Sequence, residues 1–128
     1  MFENASGSAV VAASDLGRAR SFYEDVLGLT PDSEFPPNDE AVFYRLAGVP
    51  LMVYRSSFAG TAQNTVFAID TDDLDRDMAA LRGKGVTFMD YDMPELKTVD
   101  GVAELEGEKS AWFADSEGNI LALGQRNA

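Results

Sequence analysis

Ser14-Asp15-Leu16-Gly17-Arg18-Ala19-Arg20-Ser21-Phe22-Tyr23-Glu24-Asp25-Val26-Leu27-Gly28 is the stretch on which the reading of the fold turns. Ser14 or Asp15 can cap free backbone N–H groups at a helix start. Leu16, Ala19, Phe22, Tyr23, Val26 and Leu27 then recur at helical spacing, and Gly28 supplies a C-terminal stop. The opening of this stretch returns as Asp73-Leu74-Asp75-Arg76. A short apolar run precedes each copy, at 9–13 and at 66–69, and reads as a strand. The copies stand about half the chain apart, which implies two similar modules rather than a solenoid array.

Working outward, each predicted helix is followed by strand signals. Residues 41–47 and 50–54 flank Gly48-Val49, a hairpin signal. The second helix starts at Asp72 or Asp73, buries Leu74, Met78 and Leu81, and closes at Gly83 and Gly85. Residues 86–89, 102–106, 112–114 and 120–123 read as further strands, the last two joined by the polar turn Asp115-Ser116-Glu117-Gly118-Asn119. The expectation is an α+β fold of βαβββ repeated twice, in one domain spanning 1–128. The first module covers about 1–60 and the second about 61–128, with long loops at 31–39, 56–64 and 90–101 as natural pocket rims.

Three of these motifs together resemble the vicinal oxygen chelate superfamily of glyoxalases, bleomycin-resistance proteins and extradiol dioxygenases. They are Ser14-Asp15-Leu16 through Leu29, Asp72-Asp73-Leu74, and Trp112-Phe113-Ala114-Asp115-Ser116-Glu117-Gly118-Asn119. The resemblance implies curled mixed sheets around a cavity, with the helices outside, and a homodimer as the family habit. It also implies four metal-ligand positions, usually histidine or glutamine and glutamate. Here they fall at Ser8, at Leu51 or Val53, at Val66 and at Ala122, none of which is a good ligand. The reading is therefore of a member without the metal site, and no cofactor is implied.

Composition narrows the chemistry independently. The chain has 128 residues, no cysteine and no histidine. That removes disulfides, thiolate and histidine catalysis, and the usual nitrogen donors to zinc, copper or iron. A formal net charge of −12 repels phosphate backbones and anionic lipid, so neither nucleic acid nor a membrane is an expected partner. A cationic ligand would be attracted, although an acidic surface also serves solubility alone. The N-terminal sequence has no basic start or long apolar run, and the expected location is the cytoplasm.

Strand parity then proposes what lines the cavity. Ser8, Val10 and Ala12 are expected to share a face, together with Leu51, Val53, Val66, Ala68, Asp70, Ile120 and Ala122. Tyr44, Arg45, Tyr54 and Arg55 are placed near the cavity mouth, and Trp112 could stack on a planar ligand. The candidate ligand-binding set is Ser8, Val10, Tyr54, Val66, Asp70, Trp112 and Ala122. Three functions fit. The first is a metal-independent small-molecule binding protein resembling the bleomycin-resistance branch. The second is a metal-free isomerase or lyase using a tyrosine or a carboxylate such as Asp70. The third is an interaction module whose cavity is filled. Helix capping accounts for the acidic run Asp70 to Asp75, and a solvated edge for Glu104, Glu106 and Glu108.

Overall fold

A computed structural model describes residues 1–127. Strands β1 (Ala9–Ala13), β2 (Ala41–Leu46) and β3 (Val49–Arg55) form one sheet in the order β1-β3-β2, with β1 parallel to β3. Strands β4 (Thr65–Asp70), β7 (Val102–Leu105), β8 (Glu108–Ala114) and β9 (Ile120–Arg126) form a second sheet, in the order β4-β9-β8-β7 with β4 parallel to β9. A small hairpin, β5 (Asp92–Met93) and β6 (Leu96–Lys97), lies in the expected loop after the second helix. The α+β architecture with mixed sheets agrees with the sequence reading, and neither sheet closes into a barrel.

Both helices begin where the aspartates predict. Asp15 accepts from the Arg18 N–H at the start of α1 (Leu16–Ser21), and Asp73 does the same for Arg76 at the start of α2 (Leu74–Gly83). The first helix does not continue regularly to Leu27. From Phe22 to Val26 it widens, and the Leu27 N–H bonds to the Phe22 carbonyl five residues back. The wider turn sets Phe22 edge-on to Tyr23, and Tyr23 stacks on Tyr44 beneath.

Other boundaries move. The β2–β3 turn is Ala47-Gly48, not Gly48-Val49, and both residues have positive φ, 51° and 82°. That is the twist-matched two-residue hairpin turn, entered here at some strain by an alanine. The first sheet holds three strands, because the segment after the wide turn meets β2 only through Asp32 N–H to Phe43 O and a local turn between Asn38 and Ala41. Residues 86–89 form no strand and touch the sheet through a single bridge, Phe88 to Phe113. Strand β8 starts four residues earlier than expected, at Glu108, and Glu106 falls in the turn before it, which breaks the expected alternation.

One contiguous apolar core runs through both halves, from Val11, Ala13 and Leu51 to Phe67, Leu121 and Leu123. A polar clasp fastens the halves above it. The Glu117 side chain is fully buried and receives Arg18 in bidentate fashion, at 2.7 and 3.1 Å. It also accepts from the Asp15 N–H at 2.9 Å and from the Ser14 and Ser116 hydroxyls. Asp115, buried beside it, accepts from the Tyr23 hydroxyl at 2.6 Å and from the N–H groups of Glu117 and Asn119. Burial pushes the Tyr23 phenol upward, and the facing Asp115 carboxylate adds to the rise.

Burial alone would raise the Glu117 carboxyl, but Arg18, the Asp15 N–H and the Ser116 hydroxyl outweigh it and bring it from 4.5 down to about 2. Its stabilising contribution is complete above the unfolded value and is lost as pH falls toward 2. A shift of that size corresponds to about 3 kcal/mol. Glu117→Gln is therefore expected to lower the melting temperature at neutral pH by roughly 10 °C. It should also flatten the loss of stability between pH ~4.5 and ~2. Thermal melts of both proteins across that range check this, and an unchanged acid limb in the variant would contradict it.

Candidate functional site

The site rests on which strand residues face away from the helices. In β1, Val11 and Ala13 are buried in the core while Ser8, Val10 and Ala12 look outward, as parity predicts. In β3 the expectation reverses. Val10 pairs with Met52 and Ala12 with Tyr54, so Met52 and Tyr54 share the open face. Leu51 and Val53 are 1% and 0% exposed and belong to the core. Leu51 and Val53 stand one residue out of step with the expected face, and in a strand a one-residue slip exchanges the faces. Tyr44 is likewise no cavity residue. It is buried, stacked on Tyr23, and donates to Glu24 at 2.8 Å.

Three of the seven candidate residues come together. Val10, Tyr54 and Val66 line a cleft of about 370 Å³ with Val11, Ala12, Phe58, Thr61, Ala62 and Asn119. Its floor is the β1 face, one wall is the start of β4, and the other is the loop at 56–64. No lining residue carries a formal charge, despite the acidic chain around it. Val10, Tyr54 and Val66 are 51%, 38% and 37% exposed, and Phe58 is 75% exposed, so the cleft presents open apolar surface.

The remaining four candidates do not join it. Ser8 is exposed just before β1 and does not line the cleft. Trp112 and Ala122 are cross-strand partners on the open face of the second sheet, where Tyr91 packs edge-on against Trp112 at 5.6 Å. Asp70 ends β4 in a shallow polar depression with Thr71, Asp72, Gln125 and Arg126. A larger open groove of about 680 Å³ lies on the helix side between Ser14–Gly17, Arg20, Asn38–Glu40 and Arg55, so Arg55 lines this groove rather than the cleft.

The sequence reading missed Phe58, Thr61, Ala62 and Asn119. Asn119 fastens both sides of the cleft. Its amide N donates to the Ala12 carbonyl of β1 at 2.8 Å, and its amide O accepts from the Gly60 N–H at 3.4 Å. Gly60 is required there. Its φ is +71°, and a Cβ would stand 2.5 Å from the Glu117 carbonyl oxygen. The available signal was Phe58, an aromatic set among small residues in a predicted loop.

The match to known proteins follows the same motifs. Residues 6–123 match the model of the Glyoxalase/Bleomycin resistance protein/Dioxygenase superfamily. The chain belongs to this superfamily. A search of curated proteins finds no match. Among solved structures, a glyoxalase/bleomycin resistance protein/dioxygenase from Alicyclobacillus acidocaldarius is similar at 17% identity and TM-score 0.73, covering 98% of this chain and 93% of that one. Lactoylglutathione lyase from Agrobacterium tumefaciens is similar at 18% identity and TM-score 0.67, covering 98% and 96%. TnmS3, an antibiotic binding protein from Streptomyces sp. CB03234, is similar at 21% identity and TM-score 0.59, covering 95% and 97%. At these identities the likeness is one of fold.

The superfamily's metal does not fit the residues present. Ser8, Val66 and Ala122 stand at three of the positions, and the second position on the open face is Met52 or Tyr54. A hydroxyl, two hydrocarbon side chains and a thioether or phenol make no donor set for a divalent first-row ion. Among the described residues, no group of three acidic side chains converges elsewhere in a way that could hold one. Elemental analysis after dialysis is expected to find no stoichiometric metal, and a chelator should leave the melting temperature unchanged. A stoichiometric ion whose removal lowers stability would contradict this.

Proposed function

We propose that the protein is a metal-independent small-molecule binding protein whose ligand occupies the cleft lined by Val10, Tyr54, Phe58 and Val66. One observation carries the reading: a concave, uncharged surface is left open although its aliphatic and aromatic side chains favour burial. Small-molecule sites are typically apolar clefts of roughly 300–1,000 Å³ with few polar groups. An antibiotic binding protein stands among the structural relatives, which supports a binding role on this fold. An open cleft also favours binding over an interaction module with a filled cavity. Catalysis by a metal-free site has less support, since Asp70 lies outside the cleft and Tyr54 carries its one acidic proton.

The reading extends to ligand charge, assembly and location. The acidic field of the chain raises the local concentration of cations, so the preferred ligand is a cationic amphiphile with its apolar part in the cleft. Residues 1–128 act as one domain of two modules, and two copies form a homodimer that covers further exposed apolar residues such as Val49 and Val99. With no cysteine the protein needs no oxidising compartment, and it is assigned to the cytoplasm. No helix among the described residues is long and apolar enough to cross a membrane.

A thermal-shift comparison tests the charge. 1-Naphthylmethylammonium is expected to stabilise the protein more than 1-naphthoate, with the difference shrinking at high salt. A ligand at ~100 times its dissociation constant adds about 2.7 kcal/mol, a shift of several degrees. A stronger effect of the anion would reassign the acidic surface to solubility. Light scattering at micromolar concentration is expected to return twice the chain mass, and a monomer would refute the dimer.

A further inference from the structure

The aromatic rings of this chain are mostly spoken for. Five ring pairs stand at centroid separations of 5.3 to 5.8 Å, and they account for the aromatic residues of the helices, the inner strands and the loops over the second sheet. Phe67 has no ring partner but is buried in the core at 8% exposure. Three exposed rings among the described residues are left without an aromatic partner. Phe2 stands near the N-terminal end, and the other two, Tyr54 and Phe58, line the same cleft.

Phe58 is also held in place. Its N–H donates to the Ser56 hydroxyl at 3.2 Å, and its carbonyl accepts from the Thr61 N–H and hydroxyl, at 3.3 and 2.7 Å. Gly60, between them, is pressed against the Glu117 carbonyl and Gly118 of the second-half hairpin. The turn that carries Phe58 is thus braced from within and from outside. Tyr54 is braced as well, by its pairing to Ala12 on one side and Ala41 on the other. With the backbone under both rings fixed, binding has only their side-chain torsions to order.

We infer that the cleft recognises a flat aromatic ring, taken up between Tyr54 and Phe58 against the aliphatic wall of Val10 and Val66. This deepens the small-molecule reading and rests on it. The ring is the apolar part of the ligand, and any charge it bears stays at the solvent side, because the cleft has no charged lining residue. The Asn119 amide is engaged with Ala12, Asp115 and Gly60. The Tyr54 hydroxyl remains to donate or accept, and the Thr61 oxygen, whose proton is engaged by the Phe58 carbonyl, can still accept from a ring substituent. Tyr54 and Phe58 are then the specificity-determining residues. Ring-on-ring contact adds about two- to tenfold in affinity per pair beyond the area buried.

A matched pair of probes tests this: 2-naphthol, and its saturated analogue decahydro-2-naphthol, titrated calorimetrically into the wild type, Tyr54→Leu and Phe58→Leu. The wild type is expected to prefer the naphthol by about tenfold. Each substitution should reduce that preference by about threefold, by weakening the naphthol while leaving the saturated alcohol within about twofold. Both positions are exposed, and unchanged melting temperatures of the free variants would show that the fold is intact. Equal affinity of the two probes for the wild type overturns the aromatic site and leaves the small-molecule reading standing. No binding of either probe at its solubility limit overturns both. If Phe58→Leu instead turns a dimer into a monomer by light scattering, the ring belongs to a contact between copies and the inference fails.

Discussion

A carboxylate closed off from solvent, that of Glu117, is the constraint on which the rest of this structure depends. Taking a charge out of water costs several kcal/mol unless it is paired and hydrogen-bonded. Here the partners come from the far end of the chain: Arg18, the Asp15 N–H and the Ser14 hydroxyl. The charge can be accommodated only when the first helix lies against the hairpin at 115–119. Asp115 applies the same logic through Tyr23. The apolar core supplies area without direction, and this network supplies the direction.

The cleft is a consequence of that docking. Asn119, in the same hairpin, reaches the β1 carbonyl of Ala12 and the loop N–H of Gly60, so one side chain ties the floor of the cleft to its loop wall. The close approach of Gly60 to Glu117 and Gly118 completes the loop's placement. The Asn119 amide is spent on holding the cleft together, and no lining residue carries a formal charge in an otherwise acidic protein. The superfamily's fold is retained while its metal-ligand positions carry neither an imidazole nor a carboxylate.

Much of this was legible in the sequence. Asp15 and Asp73 announce their helices because an aspartate in front of an apolar-periodic run satisfies a backbone N–H, a local interaction that needs no tertiary context. The repeat of that signal and the motif at 115–119 pointed to the fold family, and the absence of histidine removed the usual nitrogen ligands from the metal positions. Val10 lies on the face opposite the core because β1 alternates regularly, with Val11 and Ala13 buried, whereas β4 shifts register between Thr65 and Phe67. Strand β3 was placed on the wrong parity because Pro50 and Val49 give no local mark of register, and the turn at Ala47-Gly48 sets it.

By itself, then, the sequence determined the helix starts, the two-module order and which chemistries are ruled out, because these follow from residue type and from contacts within a few positions. Tertiary structure alone decided that Leu51 and Val53 are core while Tyr54 is surface, that Trp112 and Asp70 stand apart from the cleft, and that Phe58 joins it. Those outcomes depend on strand register and on residues some sixty positions apart, Gly60 and Asn119 among them, meeting in space. A contact of that range leaves no periodic trace in the chain, since its energy is realised only once both halves are docked.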